Sequence, residues 1–116
     1  VKNPISVSLD NFSDNGPFLN IPSNLFLVGG ATPGGWNNPV PVPSQQFVNR
    51  GNNVFDLTVA LTSGQAYLIL PVNGSWNEKF GGTSKTGGAL VHQGPDIPSP
   101  DVNGNYKITV NLNSSS

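Results

Sequence analysis

Punctuation excludes helices before anything else is read. Among the 116 residues stand 14 Gly and 11 Pro, placed so that one or the other interrupts almost every ten-residue window. An interior Gly costs a helix about 1 kcal/mol and an interior Pro about 3 kcal/mol relative to Ala. No apolar pattern of helical period is sustained anywhere. Short two-residue alternation recurs instead. Ile5, Val7 and Leu9 alternate with Ser6 and Ser8, and a strand is expected over 54–61, where Phe55, Leu57, Val59 and Leu61 alternate with Asp56, Thr58 and Ala60. Tyr106, Ile108, Val110 and Leu112 alternate with Lys107, Thr109 and Asn111. Residues 25–28 and 67–70 are apolar throughout, the pattern of strands covered on both faces or central in a sheet, and the second run stops at Pro71, which cannot donate to a ladder. Residues 89–92 form a weaker strand candidate.

Six or seven short strands joined by polar turns predict an all-β fold, an immunoglobulin-like antiparallel β-sandwich in a single domain. Asn-Gly pairs at Asn15-Gly16, Asn73-Gly74 and Asn103-Gly104 mark tight turns, the last leading into the final strand. A chain of this size buries about 65% of its open surface, enough for one core without staples, and it has no Cys. The domain is expected over residues 1–112, with the serine-rich 113–116 as a linker or tail. Val1 opens no charged-then-apolar leader, so the chain reads as a mature fragment or an excised module.

Charge excludes whole classes of partner. Five Lys plus Arg against six Asp plus Glu leave a net charge of −1, with no basic block for phosphate neutralisation, so no nucleic-acid partner is expected. No apolar stretch is long enough for a spanning helix, so this domain is not expected to insert in a membrane. With 35% hydrophobic residues in short alternating runs, the chain is not of disordered type. Only 9% of residues are charged, against about 25% in ordinary domains. Asn, Ser, Gly and Pro fill the deficit, a composition common in extracellular β-proteins.

Catalytic constellations are scarce. His92 is the single histidine, on a strand candidate, and is expected as a hydrogen-bonded surface or edge residue. No nucleophile elbow occurs. Two carboxylates can run a glycosidase at about 5–9 Å separation. The near pairs, Asp10 with Asp14 and Asp96 with Asp101, sit where Asp bends or caps chains. Asp101, Asn103 and Asn105 imitate a calcium loop, but Tyr106 stands where that loop needs Gly and Leu112 where it needs Glu. The glycine-rich 29–35 segment lacks the Lys-Ser/Thr of a phosphate loop. No enzyme, metal or cofactor is expected. Asn11, Asn73 and Asn113 fit the N-glycosylation pattern, as chance allows in a chain so rich in Asn and Ser.

The aromatic residues say more. Phe55, Tyr67 and Tyr106 fall on alternating strand positions and belong to the core. Trp36 follows two glycines in a loop and precedes Asn37 and Asn38; Trp76 follows the Asn73-Gly74 turn and precedes Asn77, Glu78 and Lys79. A loop indole beside amides and a charge suits a pyranose, whose C–H face packs on the ring while hydroxyls bond the polar neighbours. The competing placement folds either indole back as a plug for one end of the sandwich.

Three ordered blocks at these residues, LFLVGGATPGGW (25–36), AYLILPVNGSWNEKFGG (66–82) and GALVHQGPDIPSPDVNGNYKITVNL (88–112), together resemble the repeated domains of SusE/SusF-type outer-membrane lipoproteins of Bacteroidetes. Those belong to glycan-uptake systems beside SusC/SusD-type transporters. The resemblance implies an immunoglobulin-like sandwich and non-catalytic carbohydrate binding. It also implies tandem sister domains at the extracellular face of the outer membrane, lipid-anchored through a region outside this chain. By position the family's two tryptophans match Trp36 and Trp76, and the Lys and aromatic that follow match Lys79 and Phe80. The Lys that starch binders often carry before the second block is missing from residues 67–70. The expected sugar site is Trp36 and Trp76 as one shallow platform, with Asn77, Lys79 and Lys85 along its edge and an α-glucan as the favoured ligand. The alternative is a non-binding spacer or interaction domain of the same fold.

Overall fold

The computed structural model describes residues 5–13, 22–85 and 87–113, with the side chains of 11–13 left out of the description. The fold is all-β. Its strands are β1 (Ile5–Ser13), β2 (Phe26–Val28), β3 (Val48–Gly51), β4 (Val54–Leu61), β5 (Ala66–Leu70), β6 (Phe80–Gly81), β7 (Gly87–His92), β8 (Ile97–Pro98) and β9 (Gly104–Asn111). They join in one curled, open sheet of order β2-β5-β6-β7-β1-β9-β4-β3, with β8 beside β5 off that path.

Alternation places the core. Phe55, Leu57, Val59 and Leu61 of β4 meet Tyr106, Ile108 and Val110 of β9 on the concave side, while Thr58 and Ala60 face out. Val7 and Leu9 of β1 join them, but Ile5, expected on the same buried face, is 57% exposed where β1 begins at the sheet's rim. From the other wing come Leu27, Tyr67, Ile69, Phe80, Leu90 and Ile97. The continuous apolar runs have the predicted cause, since β2 and β5 are covered on both faces. Their outward residues Val28, Leu68 and Leu70 form a second cluster with Val40, which the 29–45 loop lays across the outside of the sheet.

The sheet is not purely antiparallel. β1 runs parallel to both its neighbours, pairing β9 over Ile5–Leu9 and β7 from Ser8 onward, so it hands over from one wing to the other. No tight turn joins β1 to either neighbour, so hairpin geometry does not fix its direction. Gly87 makes that insertion possible: at φ +105° it lies so close to β1 that an added Cβ would fall 2.3 Å from Ser8 O.

Three strands were not expected. β3 has all four residues exposed and no apolar face to betray it; its position comes from the Asn52-Asn53 turn, with φ of 54° and 63°, and from two Arg50–Asp56 hydrogen bonds at 2.8 and 3.0 Å. β6 and β8 are two residues each, held by β5 and β7 rather than by any periodicity of their own. The Asn103-Gly104 turn does lead into β9, but it closes no hairpin, because the preceding β8 pairs with β5.

The two ends of the sheet approach one another along a single segment. Residues 45–47 bond to β2 (Leu27 N to Gln45 O and Phe47 N to Leu25 O, both 2.8 Å), and the chain then runs on as β3 against β4. Past the end of β3, the 29–45 loop faces β4 across a cleft of about 360 Å³, lined by Pro33, Gly34, Pro41 and Gln45 on one side and residues 58–60 on the other.

Candidate functional site: an exposed indole pair

The 29–40 loop is a tight, internally bonded turn. Thr32 donates through N (3.0 Å) and Oγ1 (2.8 Å) to Gly29 O, and Gly29 N and Gly35 O close the ring at 3.0 Å. Gln45, buried beneath it, donates through Nε2 to Leu27 O (2.8 Å) and Thr32 Oγ1 (3.2 Å), and accepts at Oε1 from Gly34 N (2.9 Å). One buried amide therefore ties the loop to β2 with its polar atoms satisfied. The loop presents Trp36 with its indole nitrogen over Gly30: an added Cβ there would lie 3.2 Å from Trp36 Nε1 and 2.8 Å from Gln65 Oε1.

The second loop, residues 71–79, turns at Asn73-Gly74 and presents Trp76. The two indoles meet, with ring centroids 6.3 Å apart and planes tilted by 38°, inside the range of attractive aromatic pairs. Trp36 remains 43% and Trp76 47% exposed, so neither plugs the core. Together they form one bent aromatic surface on the outside of β2 and β5. In sequence the Trp36 loop lies in a charge-free stretch, 15–49, and the Trp76 loop is uncharged up to residue 77, with Glu78 and Lys79 at its far end.

Hydrogen bonds from two asparagines fasten the loops to each other. Asn73 Oδ1 accepts from Val40 N at 2.8 Å and its Nδ2 donates to Val40 O at 3.2 Å, while Asn38 Oδ1 accepts from Gly74 N at 2.8 Å. Asn37 Nδ2 donates to Gly34 O at 2.9 Å. The sequence marks Asn73 as a turn residue and gives no sign of its partner, which lies in a distant loop; Asn38 carries no signal at all.

The expected edge residues are placed unevenly. Asn77 is exposed, with its backbone nitrogen on Ser75 Oγ (3.2 Å) and its carbonyl accepting from Gln93 Nε2 (3.0 Å). Lys79 is half-buried, and its carbonyl accepts from Gln93 N at 2.8 Å. Lys85 is tied to Asp101 by an exposed ion pair of 2.8 Å beyond β6.

His92 corrects an expectation. It is buried on β7, not at the surface, with its ring 5.7 Å from that of Phe80 and its Nε2 bonded to the Glu78 carboxylate. Its neighbour Gln93 reaches the same carboxylate at 3.4 Å. These contacts anchor the far end of the loop that carries Trp76.

The other candidates scatter. Asp10 and Asp96 are both exposed, and Asp14 lies outside the described residues, as does the Asn15-Gly16 turn. Asp101 faces Lys85, and Asn103 Oδ1 accepts from Ser63 N at 2.8 Å, so the imitation calcium loop turns its oxygens to separate partners. Among the described residues no group of three or more His, Asp or Glu is placed to hold a metal ion. The cleft beside β4 is lined by no ionisable side chain. Elsewhere the Arg50–Asp56 hydrogen bond holds Asp56 below and Arg50 above their ordinary pKa values, and burial raises the Tyr67 phenol well above its own.

The chain matches no protein-family model, no curated protein and no solved structure.

Proposed function

We propose that this domain is a non-catalytic carbohydrate-binding module of a bacterial cell-surface glycan-uptake system, with Trp36 and Trp76 as its sugar platform. The observation that carries the proposal is the exposed indole pair, two large apolar rings held at the surface between amide-rich loops whose only charges are Glu78 and Lys79. A neutral polysaccharide suits it: pyranose C–H faces cover the rings, and Asn77 and Lys79 meet hydroxyls at the edge. An α-glucan is the favoured ligand. The resemblance to SusE/SusF-type domains supports the same reading and supplies the rest of the setting. That setting is an immunoglobulin-like two-layer sandwich formed by the two wings of the sheet, tandem sister domains, a SusC/SusD-like transporter complex, and a lipid anchor holding the assembly on the outer face of the outer membrane.

A shallow, wet site of this kind binds single chains weakly, near millimolar or about 4 kcal/mol, and retention comes from repetition of the domain. The rival reading, a spacer domain of the same fold, draws on one observation: Asn37, Asn73 and the Asn38 amide oxygen bond the protein's own backbone, and Lys85 is paired with Asp101. Affinity electrophoresis and calorimetry with a panel of soluble neutral glycans separate the two. Trp36→Ala and Trp76→Ala should each stay folded and lose detectable binding, whereas Lys79→Ala should only weaken it. A folded parent that retains no glycan on the panel would hand the domain to the spacer reading.

A further inference from the structure

The two tryptophans come from loops with no covalent reason to meet, and the bonds internal to each loop do not by themselves bring one indole to the other. What joins them is a reciprocal clamp. Asn73, in the Trp76 loop, takes both backbone polar groups of Val40 in the Trp36 loop, and Asn38, in the Trp36 loop, takes Gly74 N in return. Val40 is itself buried in the outer apolar cluster with Val28, Leu68 and Leu70, so the clamp is referred to the sheet and not merely to another loop. Beyond Trp76 the same loop is fixed again, through Asn77 O, Glu78 and Lys79 O on His92 and Gln93.

We infer that Asn73 and Asn38 are positioning residues that set the geometry of the indole pair, and through it the affinity of the platform, without touching the ligand. The affinity part of the inference rests on the glycan-binding reading; the geometric part does not. The physical argument is preorganisation. A site populated in its competent arrangement only a tenth of the time binds about tenfold more weakly, whatever its contacts when formed. Three directed hydrogen bonds hold the pair in one arrangement before any sugar arrives. Asn73→Asp is the sharpest probe, because it keeps the acceptor for Val40 N and turns the donor opposite Val40 O into a second acceptor carrying negative charge. Asn38→Ala removes the other half while leaving Asn73 intact.

Two readouts keep the parts separate. Two indoles at 6.3 Å and 38° should couple excitonically and give a signed couplet in circular dichroism, a signature independent of any ligand. Affinity is measured with soluble starch on the same samples, and urea unfolding confirms that each variant is folded. The expected result is a couplet in the parent, a couplet lost or much reduced in Asn73→Asp and Asn38→Ala, and starch affinity about tenfold lower in both. A parent without a couplet, or variants that keep both couplet and affinity, would overturn the inference. A couplet lost with affinity unchanged would overturn its affinity half. If the parent binds no starch while the couplet still responds to the clamp, the geometric role stands and the glycan reading is what has failed.

Discussion

The two tyrosines make opposite predictions under the same substitution. Tyr67 is fully buried on β5, surrounded by β2, β6 and β8, and its hydroxyl has no hydrogen-bond partner among the described residues. Tyr106 is also buried, on β9, but its hydroxyl donates to Val102 O at 2.5 Å. A buried hydroxyl left unmatched costs about 1–3 kcal/mol, whereas a made hydrogen bond contributes about 1 kcal/mol net. Removing one oxygen and keeping the ring therefore has opposite signs at the two sites. Tyr67→Phe should stabilise the domain by about 1–2 kcal/mol, and Tyr106→Phe should destabilise it by about 1 kcal/mol. In urea, where slopes for small domains run about 1–3 kcal/mol per molar, the two midpoints should separate by roughly 1 M with the parent between them. Tyr67 adds an alkaline signature. Burial raises its folded-state pKa above the unfolded value near 10, so the folded state holds that proton more tightly. The stability this gives is complete below about pH 10 and is lost as pH rises toward the folded value. Tyr67→Phe should remove that alkaline decline. A Tyr67→Phe variant less stable than the parent would refute the reasoning, since it would mean the hydroxyl is matched in the folded core.

Other outcomes follow from single contacts. Gly87→Ala should cost several kcal/mol, since its Cβ would meet Ser8 O at 2.3 Å in a backbone conformation that side chains avoid; a urea midpoint within error of the parent would contradict the β1–β7 pairing. Arg50 holds Asp56 below its ordinary pKa, so the pair's contribution is present above the unfolded value near 3.9 and is lost as pH falls through the folded value. Arg50→Gln should flatten that acid limb of the stability profile only slightly, the bond being largely at the surface; urea midpoints measured from pH 2 to 7 check it. Lys85→Ala, breaking an exposed ion pair with Asp101, should shift the unfolding midpoint by an amount equivalent to about 0.5 kcal/mol or less.

Local pattern settled the elements that carry their own periodicity. The strand expected over 54–61 is β4, residue for residue, because alternation records which face meets the core, and the glycines and prolines that exclude helices also end the strands. The doubled apolar runs recorded that β2 and β5 are covered twice, and loop placement of both tryptophans was legible from the Gly and Asn around them. The indole pair itself was only half legible: local sequence put each indole at a loop, and it was the family resemblance, not anything local, that set the two together.

What tertiary structure alone decided are the relations between distant segments. β3, β6 and β8 exist because neighbouring strands offer hydrogen-bonding edges, not because their own residues prefer extension. β1 lies parallel between two wings because closure of the core needs a strand there and no hairpin fixes its direction. His92 is buried because β7 turns it onto Phe80 and Glu78 lies in reach. Asn73 clamps Val40 because two loops from opposite ends of the β2–β5 pair fold over the same face. Periodicity encodes the environment of a residue, which is an average over its surroundings, whereas a hydrogen bond between far segments depends on where the whole chain closes.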